Sequence, residues 1–227
     1  MKPKPRIVIF DVDGVLVDVQ DSYHRTIIET VRHFTGRRVS RSGIHWWKNR
    51  SGYNDDWKLT VDWIRSLGGH VRYAEVARKF QQLYQGKHFK GYIARERWLL
   101  GPRWLGRLAR RTDLAVFTGR PRREVLHTLC KFGVRPYFRQ IVALEDVRRS
   151  KPHPEGLLRI LKGHDPCSAV YIGDNVDDAL AARRAGVPFI GVLPRRSAAR
   201  WMRLAQLQKL GALAVLGSVN ELERWLQ

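Results

Sequence analysis

Between residues 114 and 217 the chain alternates short apolar runs with amphipathic stretches. The runs are LAVFTG (114–119), IVAL (141–144), AVYIGD (169–174), PFIGVL (188–193) and ALAVLG (212–217). Stretches such as 122–132, 154–162 and 177–185 lie between them. Runs this short and this apolar suit strands buried on both faces, and the helical intervals supply the crossovers that parallel strands need. A further run, RIVIF at 6–10, opens the chain in the same style. Right-handed crossovers then predict an α/β fold, a Rossmann-like parallel sheet between two helical layers.

The alternation is interrupted once. From 19 to 95 the period is helical throughout: Tyr23, Ile27, Val31 and Phe34 form one stripe, with Gly36 as its stop. Asn54-Asp55-Asp56 opens a second stripe of Trp57, Val61, Ile64 and Leu67, closed by Gly68. Tyr73, Val76, Ala77, Phe80, Leu83 and Tyr84 make a third, ending near Gly86. Aromatic residues at this spacing predict core rather than a stacking box for a ligand. The predicted organisation is a core built from 1–18 and 96–227, with a helical insertion over 19–95. Ser218 and Glu221 have the spacing of a capping box for a last helix.

Length and composition admit a large buried core: 227 residues, 44% of them apolar. No apolar run is long enough to span a bilayer, and the opening MKPKPR lacks the apolar stretch of a signal peptide, so a cytoplasmic protein without membrane contact is expected. Cys130 and Cys167 lie outside any metal-ligand spacing. Lys and Arg number 42 against 21 Asp and Glu, a net charge of +21. Such a field draws anions: nucleic acid, anionic lipid or phosphorylated small molecules. The basic pairs are scattered, and no zinc-finger spacing, RNA-binding signature or basic helix accompanies them.

Ligands of open α/β sheets bind at the carboxyl ends of the strands, so the residues there carry the functional question. RIVIF runs into Asp11-Val12-Asp13-Gly14, and LAVF into Thr118-Gly119-Arg120. Ser150-Lys151-Pro152 follows IVAL, and AVYIG ends in Asp174-Asn175-Val176-Asp177-Asp178. Each alone also reads as a turn, a loop or a helix cap. Together they bring carboxylates, a hydroxyl and an ammonium to one sheet edge. That set is what phosphoryl transfer through an aspartyl-phosphate requires. Hard oxygen ligands suit Mg²⁺, a hydroxyl and a lysine hold the phosphoryl oxygens, and a second carboxylate moves protons.

The ordered motifs DVDGVLV, FTG, SKP and GDNVDD resemble those of the haloacid-dehalogenase superfamily, in the branch whose helical cap is inserted after the first motif. The resemblance extends over essentially the whole chain. It implies that Asp11 is the nucleophile and a Mg²⁺ ligand, and that Asp13 is the general acid/base whose carbonyl also reaches the metal. It further implies that Thr118 binds the phosphoryl group, that Lys151 balances the charge of Asp11 and the phosphate, and that Asp174 and Asp178 are the acidic-motif metal residues, Asp178 as ligand or support. Asp177 also suits the first turn of its helix, and Asn175 stands where many relatives carry Ser or Thr. An intact Asp13 favours phosphate esters over halides. Asp18 reads as a turn.

Substrate contacts are expected from Gly119 and Arg120, although Arg120 equally suits a surface arginine. In the insertion, HWWKNRSGYNDD is expected to select the substrate, through Lys48 and Asn49 among others. The reading is a Mg²⁺-dependent phosphatase acting on a small phosphorylated metabolite. A phosphomutase or phosphotransferase with the same intermediate is the alternative, and a polyanion- or nucleic-acid-binding protein on the same fold is the rival from another class.

Overall fold

The computed structural model describes residues 5–195 and 200–226. Its strands are β1 (Ile7–Phe10), β2 (Val17–Asp18), β3 (Arg97–Trp98), β4 (Asp113–Phe117), β5 (Phe138–Val142), β6 (Ala169–Gly173), β7 (Phe189–Val192) and β8 (Ala214–Leu216). Six of them form one sheet in the order β5-β4-β1-β6-β7-β8, every pair parallel. The α/β class read from the apolar runs is borne out. Because β1 sits centrally, the chain builds outward from it in both directions, and the strand order reverses there. The carboxyl ends of β4, β1 and β6 are therefore neighbours, at the switch point where such sheets bind ligands. Phe10 lies beside Val116 on one side and Ile172 on the other, which brings Asp11 level with the ends of both strands.

All four residues of β1 are buried, as a strand covered on both faces requires. Ile7 and Ile9 join a cluster with Phe117, Tyr171, Leu157 and Ile160, while Phe10 meets the Phe138 ring edge-on at 6.3 Å. Alternate side chains thus feed opposite layers, and truncating Ile9 to Ala is expected to cost about 2–5 kcal/mol.

The chain divides into two compact units, one of residues 1–17 with 98–227 and one of residues 18–97. The chain passes between them along β2 and β3, which form a two-stranded sheet. The second unit holds four helices: α1 (Tyr23–Thr35), α2 (Arg41–Lys48), α3 (Asp56–Ser66) and α4 (Tyr73–Tyr84). Tyr23 stacks on Tyr84 at 4.1 Å and on Phe80 at 5.7 Å, all three buried, so these aromatics are core. Tyr73 departs from that pattern. It begins α4, is 43% exposed, and its hydroxyl donates to Asp55, whose other carboxylate oxygen caps α3 at the Trp57 and Lys58 amides.

In the sheet unit the helices are α5 (Pro102–Ala109), α6 (Arg122–Lys131), α7 (Glu155–Leu161), α8 (Val176–Ala185), α9 (Arg200–Lys209) and α10 (Leu222–Trp225). Three local differences from the sequence reading have physical reasons. Strand β5 starts at Phe138, before the IVAL run, because it is an edge strand that tolerates Arg139 and Gln140. Part of HWWKNRSGYNDD is helical, since α2 extends to Lys48. Ser218 caps a short 3₁₀ turn at the Asn220 amide rather than α10 itself. No helix among the described residues is long and apolar enough to cross a membrane.

Candidate active site

The turn after β1 forms because Gly14 can adopt a positive φ of 73° and donate its amide to the Val17 carbonyl at 2.9 Å. A Cβ on Gly14 would stand 2.4 Å from Asp174 Oδ2, so glycine also lets the acidic loops after β1 and β6 approach. Gly173 plays the matching part in the second loop, where an added Cβ would lie 2.5 Å from Cβ of Asp178. The Asp11 amide donates to the Ile172 carbonyl at 2.8 Å, continuing the sheet by one residue.

Lys151 reaches this edge from the loop after β5. Its Nζ lies 2.9 Å from Asp11 Oδ1 and 2.8 Å from Asp178 Oδ1, with all three side chains buried. Phe117 and Tyr171 place their rings 4.8 and 5.4 Å from the ammonium and shield it from water. Burial works to lower the Lys151 pKa, but Asp11 and Asp178 outweigh it and hold the ammonium above the usual lysine range. Burial pushes the Asp11 carboxyl well above the usual carboxylate range. Lys151 pulls it back, while Asp178, Asp13 and Asp174 push it up again. At Asp11, burial and the neighbouring acids thus outweigh Lys151.

Asp178 is fully engaged. Oδ1 accepts from the Tyr171 hydroxyl at 2.7 Å and from Lys151, and Oδ2 accepts from the amides of Asp174 and Asn175 at 3.1 and 3.2 Å. Those donors fill the four lone-pair directions of a carboxylate. Asn175 Oδ1 in turn caps α8 at the Asp178 amide, 3.0 Å away. Asp174 is more open: Arg203 from α9 donates to its main-chain carbonyl at 2.7 Å and stands 3.7 Å from Oδ2. Oxygens of Asp11, Asp174 and Asp178 lie within 4.8 Å of one another. The donor set is all carboxylate oxygen, and its surplus negative charge suits a hard divalent cation such as Mg²⁺. Asp174 Oδ1 accepts from the Asn175 side-chain amide at 3.3 Å, and Asp178 has all four of its directions taken.

At the end of β4, the Thr118 amide donates to the Val142 carbonyl at 3.0 Å, and its hydroxyl oxygen accepts from the Arg120 amide at 3.2 Å. Residues 8–192 match the family model described as haloacid dehalogenase-like hydrolase. The chain belongs to that family. The resemblance read from the four motifs is borne out.

This haloacid dehalogenase-like chain is 36% identical over 202 residues to imidazoleglycerol-phosphate dehydratase of Phytophthora nicotianae, a match covering 85% of the chain but only 44% of that protein. It is 28% identical over 198 residues to phosphoglycolate phosphatase 1 of Pseudomonas aeruginosa, covering 81% of the chain and 67% of the relative. A solved structure described as a predicted phosphoglycolate phosphatase from Haemophilus somnus superposes with a TM-score of 0.79 at 19% identity, over 99% of both chains. That likeness speaks for the fold.

Of the residues singled out in the sequence, Asp11, Asp13, Thr118, Gly119, Arg120, Lys151, Asp174 and Asp178 all lie at the carboxyl edge of the sheet or in the loops that leave it. Arg120 is neither a surface arginine nor open to a ligand: it is 1% exposed, and its guanidinium closes on Asp13. Lys48 and Asn49 belong to the helical unit. There Lys48 pairs with Asp56 at 2.9 Å, and Asn49 closes α2 with its amide on the His45 carbonyl. Asp18 pairs with Arg97 at 2.6 Å and accepts the Gln20 amide at 3.0 Å, as a turn residue does. Sequence reasoning missed Tyr171 and Arg203. Tyr171 sits inside an apolar run, where only its hydroxyl hinted at a polar partner. Arg203 lies 29 residues beyond Asp174, with nothing in its surroundings to distinguish it from other arginines.

Proposed function

We propose that the protein is a Mg²⁺-dependent phosphatase that hydrolyses a small phosphorylated metabolite through a phosphoryl group carried on Asp11. The observation that carries the reading is the buried Asp11–Lys151–Asp178 arrangement with Asp174 beside it, at the switch point of the sheet. Asp11, Asp174 and the Asp13 carbonyl would hold Mg²⁺, which supplies the positive charge that lets a carboxylate meet a phosphate dianion. Asp178 positions Lys151 and the 174–175 loop, in keeping with its four donors.

Asp11 attacks phosphorus, and the alkoxide leaves with a proton from Asp13. Asp13 then takes a proton from the water that attacks phosphorus and frees Asp11. Lys151 and the Thr118 hydroxyl hold the phosphoryl oxygens as charge shifts between them. Lys151 stays protonated throughout, because its carboxylate neighbours hold its pKa up.

The test is inorganic phosphate release from a panel of phosphate esters and one anhydride, with Mg²⁺ and with chelator. The panel includes phosphoglycolate, pyrophosphate and imidazole-bearing alkyl phosphates, after the names of the relatives. Mg²⁺-dependent release supports the proposal. Isomerised product without phosphate would favour a mutase, and no turnover of any ester would overturn both.

A further inference from the structure

We propose that Arg120 is a positioning residue that holds Asp13 in place for proton transfer, rather than a contact for substrate. The proposal rests on the reading of Asp13 as the group that moves protons. Its observation is independent: a fully buried arginine, 107 positions away in the chain, closes its fork on that one carboxylate.

Arg120 Nε lies 3.0 Å from Asp13 Oδ1 and 3.3 Å from Oδ2, and Nη2 also bonds Oδ1. On the far side Nη1 donates to the Thr128 hydroxyl at 3.0 Å, on the buried face of α6. The main chain is equally fixed. The Arg120 amide donates to Thr118 Oγ1, and its carbonyl accepts from the Leu144 amide at 3.0 Å. One residue therefore touches two groups assigned to the chemistry, Asp13 through its side chain and Thr118 through its backbone.

The Asp13 side chain keeps 22% of its surface, whereas that of Arg120 keeps 1%. Only Asp13 faces solvent, so a substrate approaching from there meets the carboxylate and not the guanidinium. Asp13 also sits on a turn made by a glycine of positive φ, where the backbone alone does little to fix a carboxylate. A planar fork gripping both oxygens selects one orientation before substrate arrives, which a lysine, as a point charge, does not.

The test compares Arg120→Met, Arg120→Lys and Asp13→Asn, and the double variant Arg120→Met/Asp13→Asn. The substrates are an alkyl phosphate that the unaltered protein hydrolyses and p-nitrophenyl phosphate, whose leaving group departs without a proton. Arg120→Met is expected to lower kcat on the alkyl ester by about 10–100-fold, within the range of general acid–base catalysis. KM should stay nearly constant, and the loss on p-nitrophenyl phosphate should be much smaller. Arg120→Lys should remain impaired, added guanidinium ion should restore part of the Arg120→Met loss, and Arg120→Met should add nothing to Asp13→Asn. If Arg120→Met fails to fold, Thr128→Val removes the anchor behind the guanidinium and should show the same substrate dependence, smaller in size.

A raised KM with kcat unchanged would make Arg120 a substrate contact and overturn the proposal. Equal losses on both esters, or losses additive with Asp13→Asn, would make its role merely structural. If the unaltered protein releases phosphate while Arg120→Met turns over normally, this inference alone fails. If the unaltered protein releases none, the phosphatase reading fails and this proposal with it.

Discussion

The segments that follow β1 and β6 each carry two of the central carboxylates, and in each segment the two are treated differently. The inner pair, Asp11 and Asp178, is buried and shares one ammonium, Lys151. The outer pair, Asp13 and Asp174, is 22% and 23% exposed, and each faces its own buried arginine, Arg120 and Arg203. Burial works against the charged form of Asp11, and Lys151 offsets it only in part. The outer acids are held from behind and open in front. Asp11, which on the proposed reading meets both the cation and the phosphate, thus bears the cost of burial, while Asp13 and Asp174 are braced by arginines.

The largest expected effect breaks the inner pair at Asp11. Asp11→Asn should lower phosphate release by at least about 1000-fold, the scale seen when a nucleophile is removed from a cooperating set. It should also stabilise the metal-free protein. The Asp11 pKa is raised above its ordinary 3.8 in the fold, so the folded protein binds that proton more tightly than the unfolded chain. Stability is therefore lost as pH rises from 3.8 through the folded value, and Asn removes that loss. Melting of both proteins in chelator should show a gap at pH 7 that narrows on acidification.

Lys151→Met should be next, because it leaves two buried carboxylates facing each other. Removing one partner from a buried ion pair costs about 3–5 kcal/mol, read as a shift in the urea midpoint. Combining it with Asp11→Asn should cost less than the sum of the two, since the repulsion between the acids is gone. Arg203→Met should be smallest. It loosens Asp174 without touching Lys151, and the expected outcome is a Mg²⁺ requirement raised about 10–100-fold with the fold intact, as for other residues that orient a metal ligand. A Lys151-sized loss of stability there would erase the distinction between inner and outer pairs.

Much of this edge was legible in the sequence. Asp11, Thr118 and Asp174 announce themselves because each directly follows a buried strand, and Lys151 because its SKP segment completes the ordered motif set. The close approach at Gly14 and Gly173 was not read from the sequence, because it depends on how the two acidic segments meet across the sheet edge. The bracing was not legible. Arg120 and Arg203 are two among many arginines, and only the packing of α6 and α9 buries them against particular carboxylates. The start of β5 was hidden by Arg139 and Gln140, which an edge strand tolerates and a central one would not. The ion pair of Lys48 with Asp56 was not legible either, since it depends on how α2 and α3 pack.

The central claim is that Asp11 carries the phosphoryl group, and trapping it tests that most directly. Enzyme quenched during turnover with Mg²⁺ is treated with borohydride, which reduces an acyl phosphate to an alcohol, and the peptide spanning residues 7–18 is sequenced by mass spectrometry. The account predicts homoserine at position 11 and at no other aspartate. Steady phosphate release with Asp11 recovered unmodified, or homoserine at Asp13 or Asp174 instead, would contradict it.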